Sequence, residues 1–209
     1  MGHYQLIASQ GCGSAIVEMA LELCGISYRV EILPYLEPGP GRDRLLALNP
    51  TGQVPVLTLP DGAVMTESAA IILHVADRFP DAALAPPPED PERPPFLRWL
   101  LFLVAQIYPT FNYGDDPARW LGDMAAAADR LRASTDEHRL SLWQVMEDAA
   151  AATPWFIGEH MTAIDIYVAV MRHWRPGPAV FDARFPKLAG AALAVGRDPR
   201  LAAVLARNM

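Results

Sequence analysis

Over its first third the chain switches between two periods of apolar and polar residues. Tyr4 to Ala8 reads as a short strand. Ile16, Val17, Ala20, Leu21 and Cys24 then recur every three or four positions with Glu18 and Glu22 on the opposite face, which predicts an amphipathic helix. Tyr28, Val30 and Ile32 alternate with Arg29 and Glu31, giving a second strand. After a Pro/Gly-rich stretch, 34–41, a short helix is expected around 42–47. Leu57-Thr58-Leu59 and Val64-Met65-Thr66 flank the turn residues Pro60-Asp61-Gly62 and predict a hairpin. A third helix follows, with Ile71, Ile72, Val75 and Ala76 turned inward.

This βαβαββα order resembles a thioredoxin-like domain. The proline-dense stretch 79–95, which includes Pro86-Pro87-Pro88, reads as a linker. Beyond it every segment has helical period. Leu100, Leu101, Val104, Ile107 and Tyr108 stripe one helix. Alanine-rich sequence from Asp123 to Ala152 supports a long helix, or one broken near 133–136. Gly177, Pro186 and Pro199 punctuate shorter helices. The expected division is a thioredoxin-like α/β domain over 1–79, a linker over 80–92 and an all-helical domain over 93–209.

The most informative stretch is Asn49-Pro50-Thr51-Gly52-Gln53-Val54-Pro55, followed by Thr66-Glu67-Ser68. Pro55 opens the apolar run at Val56, where proline is tolerated only at the first residue of a strand or on an edge. A cis Val54–Pro55 bond fits that corner, since the trans preference before proline is only about 0.5–1 kcal/mol. Such a turn leaves the N–H and C=O of Val54 free to pair with an extended peptide. Ser68 falls at a helix N-terminus, a place that binds carboxylates, and Glu67 beside it suits an α-ammonium group. The simpler reading is that Thr66-Glu67-Ser68 only caps a helix. In series, the two halves describe a holder for a small charged peptide.

On these residues the chain resembles the cytosolic glutathione transferase superfamily, and the resemblance runs over essentially its whole length. Trp155-Phe156-Ile157-Gly158-Glu159-His160-Met161-Thr162-Ala163-Ile164-Asp165-Ile166 is similar to the family's C-terminal signature. Thr162 and Asp165 there form a capping box, with aspartate where Glu or Gln is usual. The resemblance implies glutathione as co-substrate, held by Gln53, Val54, Pro55, Glu67 and Ser68, with Arg42 or Arg44 for the glycyl carboxylate. It also implies a small apolar electrophile as second substrate, and a homodimer.

The family places a Tyr, Ser or Cys near the start of the first helix to act on the glutathione sulfur. A thiol of pKa about 8.5 is mostly protonated at neutral pH, and a helix N-terminus can bring it down to roughly 3.5–7.5. In Ser9-Gln10-Gly11-Cys12-Gly13-Ser14, counting from the strand selects Cys12, whereas counting back from the helix selects Ser14. Where serine-type classes carry the hydroxyl, this chain has Gly11. Tyr4 ranks third. Cys12 could be an inert loop thiol and Ser14 a helix cap; Cys24, on the apolar face of its helix, reads as core. Tyr108, Phe111 and Trp120, with Tyr113 and Trp174, are aromatics that could wall an electrophile cleft.

Composition narrows the alternatives. At 209 residues and 52% hydrophobic content the chain can bury substantial cores. Its net charge of −7 comes from interleaved acids and bases, without the basic face that nucleic acid requires. No leader is read at the start, and the apolar run 99–105 is too short to span a bilayer. Two cysteines twelve apart fit neither a metal site nor a disulfide framework, and the five histidines lack ligand spacing. A cytoplasmic enzyme is expected. Two rivals stay open: a glutathione-dependent thiol reductase or deglutathionylase using Cys12, and a non-catalytic binding or carrier protein of the same fold.

Overall fold

A computed structural model describes residues 2–151 and 154–209. Its first element, β1 (Tyr4–Ala8), is flanked on one side by the parallel β2 (Tyr28–Ile32) and on the other by the antiparallel β3 (Val56–Thr58), which pairs in turn with β4 (Val64–Met65). In register, Leu6 faces Val30 across one ladder and Leu57 across the other. As one of the two inner strands, β1 carries apolar residues on both faces. Leu6 and Ala8 join the main core, while Ile7 packs with Leu33, Leu45 and Val56 in a small cluster on the other face.

Helix α1 (Ser14–Leu23) follows β1, α2 (Pro40–Leu48) precedes the proline corner, and α3 (Ser68–Arg78) closes the thioredoxin-like half. The solvent face expected for α1 is corrected by the helices added later in the chain. Glu18 is only 3% exposed. It pairs with Arg207 at 2.7 Å and accepts from the Asn208 amide at 2.8 Å, both near the end of α11 (Pro199–Asn208). The Gly11 N–H also donates to the Asn208 carbonyl, so the C-terminal helix clamps the loop after β1.

Between α3 and the next long helix the proline-rich stretch is held down. Leu84 is buried, and its carbonyl accepts the N–H of Ala163. Helix α4 (Arg93–Phe102) runs into α5 (Tyr108–Asp115) through a π-turn at Leu103–Ile107. Pro109 explains the widened turn: it has no N–H to give the carbonyl four residues back, and its ring would strike that carbonyl in a regular helix. Leu100 and Ile107 are buried as the stripe predicts, but Leu101 is 54% exposed and Leu103, outside the stripe, is buried instead.

A four-residue α6 (Ala118–Leu121) leads to α7 (Ala128–Ala149). The break considered near 133–136 does not occur: the helix runs through it, with Asp136 paired to Arg139. Ala152, the end expected for this helix, lies outside the described residues. Every residue of α8 (Ala163–Met171) is buried, and it starts at the expected capping box of Thr162 and Asp165. Against it packs α10 (Pro186–Val195), which in turn carries α9 (Pro178–Arg184), while α11 packs on α1. The main core passes without interruption from β1 and α1 into α4, α7 and α8. Among the described residues no helix is long and apolar enough to cross a membrane.

Candidate functional site

The corner before β3 is built by its own side chains. Asn49 accepts from the N–H and hydroxyl of Thr51 and donates to the Gln53 carbonyl at 2.9 Å. Gly52, at φ +67°, turns the chain, and a Cβ there would meet the Arg42 guanidinium at 2.8 Å. The Val54–Pro55 bond is cis. Val56 then enters β3 opposite Ile7. Among the described residues the N–H and C=O of Val54 have no hydrogen-bond partner. Gln53, Val54 and Pro55 line a cavity of about 400 Å³.

Arg42 is placed differently from the carboxylate-binding role implied for it. Its guanidinium donates to the carbonyls of Tyr35 and Gly52, bracing the corner from behind, and it does not line the cavity. Arg44 pairs with Glu31 at 2.9 Å.

Glu67 and Ser68 also line the cavity, at the N-terminus of α3. Glu67 sits at φ 64°, ψ 106°, a backbone conformation that costs a side-chain-bearing residue on the order of 1–3 kcal/mol and is kept where surrounding structure demands it. Glycine is therefore expected to stabilise the fold: Glu67→Gly should raise the unfolding free energy by about 1 kcal/mol, read from denaturant melts, and a loss of stability would show that the backbone there is unstrained. The Ser68 hydroxyl accepts a 2.6 Å hydrogen bond from Tyr167, a buried residue of α8. This bond ties the thioredoxin-like half to the helical half at the cavity floor.

Cys12 lines the cavity in the loop between β1 and α1. Burial pushes its thiol above the ordinary value of 9.0, a rise that Asp115 adds to and hydrogen bonds from Tyr35 and Ser9 only partly offset. Beside it, Gly13 must be glycine, since a Cβ would fall 2.0 Å from the Tyr108 hydroxyl oxygen. The Tyr108 hydroxyl therefore packs directly against the backbone at Gly13. Ser14 lies outside the cavity lining: fully buried, it donates to the Ser9 carbonyl and accepts from the Ser9 N–H, closing the loop. Tyr4 is buried in β1. Cys24 packs against the core, where burial lifts its thiol to about 11.

The opposite wall comes from the α4–α5 helix and the segment after α8. Tyr108 and Phe111 both meet Trp174 edge to face, with centroids 5.3 and 5.0 Å apart, and all three line the cavity. Arg139, 1% exposed, lies 3.9 Å over the Phe111 ring and donates to Thr110 and to the Arg175 carbonyl. Arg175, at the rim, pairs with Asp115 at 2.5 Å. Trp120 is not part of this wall. Its helix of four residues turns it to solvent, 50% exposed, against Tyr113. Neither of these two lines the cavity.

Tyr35, Tyr167 and Arg175 were not singled out from sequence. Tyr35 lay in the Pro/Gly-rich stretch, where a lone aromatic was its only signal. Among the described residues no cluster of His, Cys, Asp or Glu is arranged to hold a metal ion. As a whole, the cavity sets an unpaired peptide edge and a helix N-terminus with an adjacent carboxylate against an aromatic wall, with a thiol at the seam.

A family model described as the glutathione S-transferase N-terminal domain matches residues 14–78. The uncharacterized GST-like protein YncG of Escherichia coli strain K12 is 41% identical over 199 residues, covering 95% of each chain. A maleylacetoacetate isomerase of Rhizobium meliloti is 32% identical over 90% of this chain and 85% of its own. Among solved structures, a sphingomonad glutathione S-transferase complexed with glutathione superposes with a TM-score of 0.81 at 28% identity, covering 98% of both chains.

Proposed function

Since the chain belongs to the cytosolic glutathione S-transferase superfamily, we propose that it is a homodimeric glutathione transferase, conjugating the glutathione thiolate to a small apolar electrophile. The observation that carries this reading is the single cavity in which Val54, Glu67 and Ser68 face Tyr108, Phe111 and Trp174 across Cys12. Val54 pairs with the peptide backbone of glutathione as an added strand would. Ser68 and the first N–H groups of α3 take the γ-glutamyl carboxylate, and Glu67 takes its ammonium. Gln53 reaches the peptide from the same corner. The sulfur then lies at the start of α1, whose N–H groups favour its anion.

Conjugation is preferred to the thiol reductase reading because that chemistry needs a Cys12 thiolate. The hydrogen bond from Tyr35 favours the thiolate, but burial outweighs it. For an acid whose pKa is raised, the neutral form prevails up to a higher pH. Cys12 is therefore a thiol at neutral pH, a weak donor toward the glutathione sulfur.

Two readouts test the reading together. Wild type and Cys12→Ala should both bind glutathione in calorimetry and turn over members of a panel of benzylic and conjugated electrophiles, with kcat/KM values within about fivefold of each other. At pH 6, iodoacetamide should label Cys12 more slowly than it labels free glutathione, the rate rising with pH beyond the ordinary thiol range. Faster labelling than free glutathione, with loss of activity in Cys12→Ala, would establish the reductase instead. Glutathione binding without turnover of any electrophile would make the protein a carrier.

A further inference from the structure

Helix α11 is docked by two separate sets of contacts. Leu201 and Val204, both fully buried, anchor it in the main core. Its last turn makes polar contacts that run to the loop between β1 and α1. The side-chain amide of Asn208, a residue 6% exposed, donates to the buried Glu18 carboxylate at 2.8 Å and to the Val204 carbonyl at 3.0 Å, which fixes its orientation. Arg207 holds the other oxygen of that carboxylate at 2.7 Å, so the buried charge is paired. The last carbonyls of a helix have no partner within it, and here two of them serve the loop. The Asn208 carbonyl accepts from the Gly11 N–H at 2.8 Å, and the Arg207 carbonyl accepts from the Gln10 side chain at 3.3 Å.

Gly11 lines the cavity, as do Cys12 and Gly13 after it. It takes a left-handed turn at φ +71°, and a Cβ on it would meet nothing within 4 Å, so packing on that side does not hold the turn. The bond to Asn208 does. Resting on the transferase reading above, we infer that Asn208 is a positioning residue: locked by Glu18, it pins the Gly11 turn and thereby sets where the first N–H groups of α1 meet the glutathione sulfur. Asn208 itself does not line the cavity. It acts through placement, and a shift of about 1 Å at a reacting centre can cost about a hundredfold in rate. The peptide ends are held elsewhere, by Val54, Glu67 and Ser68, so the pin bears on turnover and not on recognition of the peptide.

Asn208→Ala removes the amide but leaves Leu201, Val204 and the pairing of Glu18 with Arg207 to dock α11, so the variant is expected to fold. Val204→Ala is its control, loosening the same helix through packing alone. With benzyl chloride as electrophile, Asn208→Ala should lose roughly ten- to a hundred-fold in kcat. Its Kd for S-methylglutathione, which has the peptide ends but no ionisable thiol, should stay within about threefold of wild type. Val204→Ala should keep kcat within about twofold, whatever stability it loses. Amide exchange followed by NMR should find the Gly11 proton released about tenfold faster or more in Asn208→Ala and little changed in Val204→Ala. Equal losses of kcat in the two variants would overturn the inference by leaving the last turn of α11 a packing element. Weaker S-methylglutathione binding in step with kcat would also overturn it, since the pin would then act on the peptide end, and an unreleased Gly11 proton refutes the pin itself. Turnover by wild type that Asn208→Ala retains in full removes this inference alone. Wild type that binds S-methylglutathione but converts neither benzyl chloride nor any other member of the electrophile panel removes the transferase reading and this inference together.

Discussion

Asp165→Ala is expected to lower the unfolding free energy by about 3 kcal/mol, the largest stability loss of any single change considered. The carboxylate accepts from the Phe156 N–H at 2.8 Å and from the Thr162 N–H at 2.7 Å, with the Thr162 hydroxyl at 3.2 Å. It thereby joins the start of α8 to the loop before it. Alanine strands two buried N–H groups, each costing about 1–3 kcal/mol, although it also frees the fold of a buried charge. At roughly 2–4 °C per kcal/mol for a chain of this size, the melting temperature should drop by roughly 10 °C. Asp165→Asn should lose about half as much, because its oxygen still serves one N–H while its amide confronts the other donor.

The gap between wild type and Asp165→Ala should also depend on pH. Burial raises the Asp165 carboxyl from 3.8 to about 6 in the fold, the hydrogen bonds from Thr162 and Phe156 pulling the other way. The folded state then holds a proton more tightly than the unfolded state does. Stability from this group is present in full below 3.8 and is lost as pH rises through about 6. Melts should therefore show the gap wider at pH 5 than at pH 7, by about 1 kcal/mol. A gap that narrows at pH 5 would mean that the three donors, not burial, set the carboxyl.

Ser68→Ala is expected to weaken glutathione binding by roughly ten- to a hundred-fold, the loss typical of a hydrogen bond to a charged group. Tyr167 donates to Ser68 Oγ. That arrangement leaves the serine proton for a carboxylate, and each donor strengthens the next. Removing the serine also strands the Tyr167 hydroxyl in the core, so the variant should lose about 1–3 kcal/mol of stability as well. Tyr167→Phe separates the two effects. It keeps the serine proton, and calorimetry should find glutathione affinity reduced by no more than about fivefold. If Tyr167→Phe weakened binding as much as Ser68→Ala, the tyrosine would hold the ligand directly.

How much could be read from sequence depended on the reach of each interaction. Alternation in Tyr28 to Ile32, the proline at 55 and the spacing of Thr162 and Asp165 act over a few residues, and the corresponding strand, cis bond and cap are all found. Glu67 and Ser68 were legible for the same reason, since a helix start is a local event. Errors arose where distant chain intervened. Glu18 lies on the polar face of α1, yet α11 covers it with Arg207 and Asn208. Arg42 has the chemistry for a carboxylate, but carbonyls at Tyr35 and Gly52 reach it first. Trp120 and Trp174 are indistinguishable by composition; only tertiary packing sends one to solvent and the other into the cavity wall. The contact of Tyr108 with Gly13 joins positions too far apart for any local pattern to signal.

The wide turn ahead of Pro109 bears on how such a wall arises. A π-turn holds one residue more than a regular turn, so the helix beyond it is rotated by about 100° relative to an unbroken one. Ahead of the turn, the buried residues are Phe96, Trp99 and Leu100. Past it, Tyr108, Phe111, Asn112 and Asp115 line the cavity. The extra residue swings a whole row of side chains toward the cavity at once. One change of helical phase thus lets a single continuous helix serve the core with its first half and the cavity with its second.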